Sequence, residues 1–124
     1  MKSLQRKVNG ILLLDKPKGD SSNHALQKIK RLFNAKKAGH TGTLDPLASG
    51  LLPVCFGEAT KVAQYLLDSD KRYLSEFIFG SSTTTGDAEG EILENKCWSS
   101  IDEADIVRRM SDMTGEFHQI PPMY

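Results

Sequence analysis

The stretch GHTGTLDPLASG, residues 39–50, holds a single carboxylate, Asp45, between Leu44 and Pro46. Proline fixes its own φ and pushes the residue before it out of the helical region, so the Asp45 side chain has a defined direction. Gly39, Gly42 and Gly50 leave room for another backbone to approach. Such room is what a bulky ligand in the loop would require. A structural reading competes with this one, in which Asp45 caps a turn, as aspartate often does. His40 stands five positions earlier in the same loop. H-x4-D is not a recognised ligand spacing and a third ligand is missing, so no metal site is expected. The G-x-x-x-x-G-K-[ST] and G-x-G-x-x-G patterns of nucleotide-binding loops are absent.

Further along, Lys71 and Arg72 precede Tyr73. A tyrosine beside two cations can stack a base while they hold phosphates, and a strand tyrosine can equally be packing. Lys16-Pro17 is similarly open, either orienting a phosphate contact or ending a strand. Net charge is zero, but it is unevenly spread: residues 1–40 carry ten Lys or Arg against Asp15 and Asp20, and the remainder carries six against fourteen Asp or Glu. A basic face for phosphates follows, with Lys28, Lys30 and Arg31 as its candidate contacts.

The elements that must position these residues are short. Gly10–Leu14 reads as a buried strand stopped by Pro17. Ser21 or Ser22 offers a helix cap, and Ala25, Leu26, Ile29, Leu32 and Phe33 recur with helical spacing. Residues 36–50 read as loop, and Leu51–Phe56 as a strand in which Pro53 requires a strand start, an edge or a bulge. A second helix is expected within residues 58–70, a strand over Tyr73–Phe79, a returning strand over Glu91–Glu94, and a third helix capped by Ser100 and running to about Thr114. The segment from Gly115 begins like a strand. The class is α+β, a mixed and mainly antiparallel sheet with flanking helices. At 124 residues and 39% hydrophobic, the chain has the size of one small domain. Cys55 and Cys97 lie far apart with no metal-type spacing, the N-terminus lacks a signal-like apolar region, and no apolar run is long enough to span a membrane. A reducing cytoplasm fits best.

Taken together, NGILLLDKPKGDSS (9–22), AGHTGTLDPLASGLLPVCFGEATK (38–61) and LLDSDKRY (66–73) resemble the bacterial TruB family of tRNA pseudouridine synthases, and the likeness continues in TTTGDAEG and GEFHQIPPMY. The resemblance implies the pseudouridine synthase catalytic fold and isomerisation of uridine 55 in the tRNA T-loop, by base flipping, with no cofactor and no metal. It makes Asp45 the catalytic aspartate, acting either on C1′ as nucleophile or on the 2′ proton as base. It makes Tyr73 a second catalytic residue, stacked on the extruded uracil and assisting deprotonation at C5, and sets His40 with Gly42, Thr43 and Leu44 against the substrate. Lys16, Pro17, Gly39 and Pro46 become structural parts of the motif. Lys71 and Arg72 join the substrate contacts. The family usually has Asp in a T-D-T loop where this chain has Thr83-Thr84-Thr85. Family members also continue beyond residue 124, through an arginine that pairs with the aspartate and commonly a C-terminal RNA-binding domain. The chain is therefore expected to be the N-terminal portion of the catalytic domain, with apolar surface open to self-association. The alternative is an incomplete fragment that acts only as an RNA-binding module.

Overall fold

A computed structural model describes residues 4–120, divided into two compact units, Met1–Arg72 and Tyr73–Tyr124. In the first unit, strand β1 (Gly10–Lys16), helix α1 (Ser22–Leu32), strand β2 (Ala38–His40), strand β3 (Gly50–Phe56), a 3₁₀ turn (Gly57–Lys61) and helix α2 (Ala63–Leu67) follow in order. The sheet is antiparallel with order β1-β3-β2, so the strand that leaves the Asp45 loop is central. Period-2 alternation sets its inner face. Leu12 pairs with Val54 and Leu14 with Leu52, and Val54 and Phe56 form a core with Leu26 and Ala35. Phe33 and Phe56 stack tilted, with ring centroids 5.2 Å apart. Helix α1 thus packs the face of the sheet through its apolar stripe, with Ser21 as its cap accepting from the His24 N–H. Its last turn carries Lys30 and Arg31, favourable at the negative end of the helix dipole.

Several expectations are corrected in this unit: the strand expected to be buried over Gly10–Leu14 leaves Ile11 and Leu13 exposed, because only one face of the sheet is covered by α1. Residues 38–40 are strand rather than loop, because β3 offers them a ladder: Ala38, Gly39 and His40 pair with Phe56, Cys55 and Val54. Pro53 lies within a central strand. It is tolerated because its carbonyl, and hence the position of its missing N–H, faces the side where β2 has already ended, and there the carbonyl accepts from the Thr41 N–H at 3.1 Å. The second predicted helix is broken into the 3₁₀ turn and α2.

The second unit consists of a two-stranded antiparallel ribbon, β4 (Ser81–Thr83) and β5 (Ile92–Asn95), and helix α3 (Glu103–Asp112). The strand expected over Tyr73–Phe79 does not form. Among the described residues no segment pairs with it, and an unpaired strand has no ladder to hold it. The returning strand does form, against Ser81–Thr83. The cap of α3 is Asp102, in a capping box with Asp105, two residues beyond the expected Ser100. No strand begins at Gly115, and residues 121–124 of that expectation lie outside the described residues. None of the described residues of this unit is buried, and Leu74, Phe77, Ile78 and Trp98 are exposed. The architecture is α+β, and no helix among the described residues is long and apolar enough to cross a membrane.

Candidate active site

The loop between β2 and β3 presents Asp45 to solvent. Pro46 sits at the second position of a turn that Asp45 opens, closed by the Ala48 N–H donating to the Asp45 carbonyl at 3.0 Å. The backbone makes this turn unaided. Among the described residues the Asp45 carboxylate has neither a hydrogen-bond donor nor an ion-pair partner, so it does not cap the turn. Gly42 and Gly50 frame the loop with φ of 122° and 123°, values that side chains rarely adopt. A Cβ on either, or on Gly39, would meet nothing within 4 Å, so the space expected around the loop is present.

The loop is held from behind by the segment that joins β1 to α1. Lys16 is fully buried, and its Nζ donates to the carbonyls of Pro17 (3.0 Å) and Asp20 (2.6 Å). That ammonium folds residues 17–20 into a tight crook, from which the Gly19 N–H donates to the Pro46 carbonyl at 2.7 Å. Lys16 therefore serves the site as a strut, and Pro17 as part of the crook it closes. Asp20 is fixed in turn by Lys28 (2.8 Å) and His24 (2.9 Å). The Lys28 hydrogen bond holds the Asp20 carboxyl below the ordinary carboxylate value, against some desolvation, with His24 adding to the effect.

His40 ends β2 opposite Val54, one residue before the buried Thr41. Its Nδ1 and the Thr41 Oγ1 are buried without a hydrogen-bond partner among the described residues. Such orphaned groups are uncommon in folded proteins and cluster where a ligand or solvent completes the site. Thr43 is exposed and Leu44 half-buried in the same loop.

The cations expected to meet phosphate differ among themselves. Arg31 is exposed and Lys30 half-buried, whereas Lys28 is committed to Asp20. The Lys71 ammonium folds back onto the carbonyls of Leu67 and Ser69 at the end of α2, which caps that helix, and Arg72 is exposed. Tyr73 is exposed and opens the second unit. In the loop after β4, the Asp87 carboxylate accepts from the Thr85 hydroxyl at 2.6 Å and the Glu89 N–H at 2.9 Å, so Asp87 is engaged within its own turn. Both cysteines are free thiols, and burial pushes Cys55 up from the ordinary thiol value. Among the described residues no group of three His, Cys, Asp or Glu side chains converges as metal ligands would.

One residue at the site escaped sequence reasoning. Ser22, 2% exposed, grips the peptide in front of Asp45: its hydroxyl donates to the Leu44 carbonyl at 2.9 Å and accepts from the Leu44 N–H at 2.8 Å. The signal was the Ser21-Ser22 doublet. A helix needs one cap, and the second serine was left without a task.

The α+β fold that carries this loop is shared with solved pseudouridine synthase structures. A Cbf5-Nop10-Gar1 complex matches 92% of this chain and 29% of its own matched chain, with TM-score 0.63 and 34% identity. An H/ACA RNP bound to a substrate RNA containing 2′-deoxyuridine matches 90% and 30%, with TM-score 0.61 and 33% identity. Within that class, the chain belongs to the TruB family: the TruB family pseudouridylate synthase N-terminal domain matches residues 30–124. Among its relatives, the tRNA pseudouridine synthase B of Neisseria meningitidis serogroup B is 58% identical over 123 residues, covering 99% of this chain and 40% of that protein. That of Ectopseudomonas mendocina is 57% identical over 124 residues, covering 100% and 40%. The chain thus spans about two fifths of the length of these relatives.

Proposed function

We propose that this chain is the N-terminal portion of the catalytic domain of a cytoplasmic tRNA pseudouridine synthase, an isomerase that converts uridine 55 of the T-loop to pseudouridine. The observation that carries the reading is Asp45: presented on a loop gripped on both sides, with its carboxylate engaged by none of the described residues. Membership of the TruB family supports it. In the reaction the N1–C1′ bond breaks, the uracil turns over and rejoins C1′ through C5, the C5 proton is lost to solvent and N1 takes up a proton. Asp45 provides the anion for this, attacking C1′ or removing the 2′ proton. A stacked uridine must first be extruded, at a cost of a few kcal/mol. His40 enters the vacated space, Tyr73 stacks on the uracil, and Gly42, Thr43 and Leu44 line the approach. Lys30, Arg31 and Arg72 meet phosphates, with Lys28 and Lys71 contributing less because each already has acceptors. No cofactor or metal takes part.

The test is site mapping. An unmodified tRNA transcript is incubated with the chain, derivatised with a carbodiimide that marks pseudouridine, and read by primer extension. The stop diagnostic of a modified position 55, one nucleotide to its 3′ side, is expected, and is lost when that uridine is replaced by cytidine. A stop elsewhere, or none, contradicts the reading.

A further inference from the structure

We infer that Ser22 is the positioning residue for Asp45, an inference that rests on the catalytic assignment of Asp45 above. Both hydrogen bonds of the Ser22 hydroxyl go to one residue, Leu44, at 2.8 and 2.9 Å, across 22 positions of sequence. A side chain that satisfies the N–H and the carbonyl of the same residue fixes both peptide planes around it, as a strand partner would. The hydroxyl is not needed for capping, since Ser21 already accepts from the His24 N–H. Ser22 also sits on the most firmly anchored element nearby. Helix α1 buries Ala25 and Leu26, and Leu26 belongs to the core with Val54 and Phe56.

On the far side of Asp45, the Gly19 N–H holds the Pro46 carbonyl. Asp45 is therefore the residue between two clamps, one run from the helix through Ser22 and one from the crook closed by Lys16. Its carboxylate can be aimed without itself being hydrogen-bonded. A reactive carboxylate needs this combination, because a donor on its oxygens would satisfy the anion that the reaction must use, while an unrestrained loop would spread it over many directions.

The clamp is read by amide exchange and the consequence by kinetics. Removing the hydroxyl in Ser22→Ala forfeits two hydrogen bonds, so exchange of the Leu44 amide is expected to rise by roughly tenfold or more, while Val54 in the core is unchanged. In tritium release from C5-labelled tRNA, kcat is expected to fall roughly tenfold with KM within about twofold, because aim is lost and binding is kept. Ser22→Thr, which keeps a hydroxyl, retains Leu44 protection and most of kcat. Unchanged Leu44 exchange in Ser22→Ala overturns the clamp, as does a change that appears in KM alone. Equal loss of protection at Leu44 and Val54 also overturns it, since that marks general unfolding. If the parent chain releases no tritium while Leu44 still answers to Ser22→Ala, the catalytic reading of this chain falls and the clamp stands.

Discussion

Replacing Lys16 by Met tests how the site is built, because Met keeps nearly the same length and shape and removes only the ammonium. In the structure Nζ is fully buried and donates to the carbonyls of Pro17 and Asp20 at 3.0 and 2.6 Å. Hydrogen bonds from a charged donor contribute about 1.5–3 kcal/mol each, and the two abandoned carbonyls, on exposed Pro17 and half-buried Asp20, regain part of this from water. Removing the buried charge returns part of this, because its desolvation is no longer needed. A net loss of about 2–4 kcal/mol follows, a large share of the ~5–15 kcal/mol that holds a domain together. The crook 17–20 should open first, releasing the Gly19 bond to Pro46 and with it one side of Asp45. The assay must read the right unit. Trp98 lies in residues 73–124, so its fluorescence reports the second unit, whereas amide exchange at Leu52 and Val54 reports the first. Lys16→Met is expected to accelerate exchange at both core amides by about thirtyfold or more, the equivalent of about 2 kcal/mol at 1.4 kcal/mol per tenfold. Acceleration of less than about fivefold would refute the strut, showing that the crook holds without it.

Asp20 has its folded pKa depressed by Lys28 and His24, so its contribution to stability is present above the unfolded value of about 3.9 and lost as pH falls through the lower folded value. Asp20→Asn should therefore flatten the acid limb of a stability-against-pH curve below about pH 4 and leave its slope at neutral pH alone; an unchanged acid limb contradicts the ion cluster. Replacing Lys30 and Arg31 together by Gln should reduce the salt slope of tRNA affinity by about one to two, and Lys28→Gln by less, since Asp20 already offsets that charge; equal effects would remove the distinction. Gly42→Ala forces a side chain into φ of 122° and should destabilise the loop by roughly 1–2 kcal/mol, read as faster exchange at Thr41 and Leu44. The exposed Leu74, Phe77, Ile78 and Trp98 should make the purified chain bind a hydrophobic dye or self-associate; a dye-negative monomer would show that surface to be covered.

The parts legible in the sequence were those whose cause is local. The apolar runs Gly10–Leu14 and Leu51–Phe56 and the helical spacing of Ala25, Leu26 and Ile29 marked two strands and the helix of the first unit, although Ile11 and Leu13 proved exposed. What escaped depends on partners distant in sequence. His40 looked like loop because a three-residue strand exists only by grace of β3. Tyr73–Phe79 has strand composition and no strand beside it, and propensity without a ladder does not make one. Asp102 displaced Ser100 as a cap because both sit near the helix start, and only the backbone decides between them. At the site, Asp45 and Lys16 were visible as unusual residues. Their connection was not: Ser22 reaches Leu44 and Gly19 reaches Pro46 across more than twenty positions, and nothing in local pattern marks such a bond.

The central claim is that Asp45 carries the chemistry, and the most direct measurement is tritium release from a tRNA transcript labelled at C5 of uridine, with tRNA affinity measured alongside for the chain and its Asp45→Asn variant. The account predicts release by the chain, none above background by Asp45→Asn, and affinities that agree within about threefold. Release that survives in Asp45→Asn, or a chain that binds tRNA and releases nothing, would contradict it.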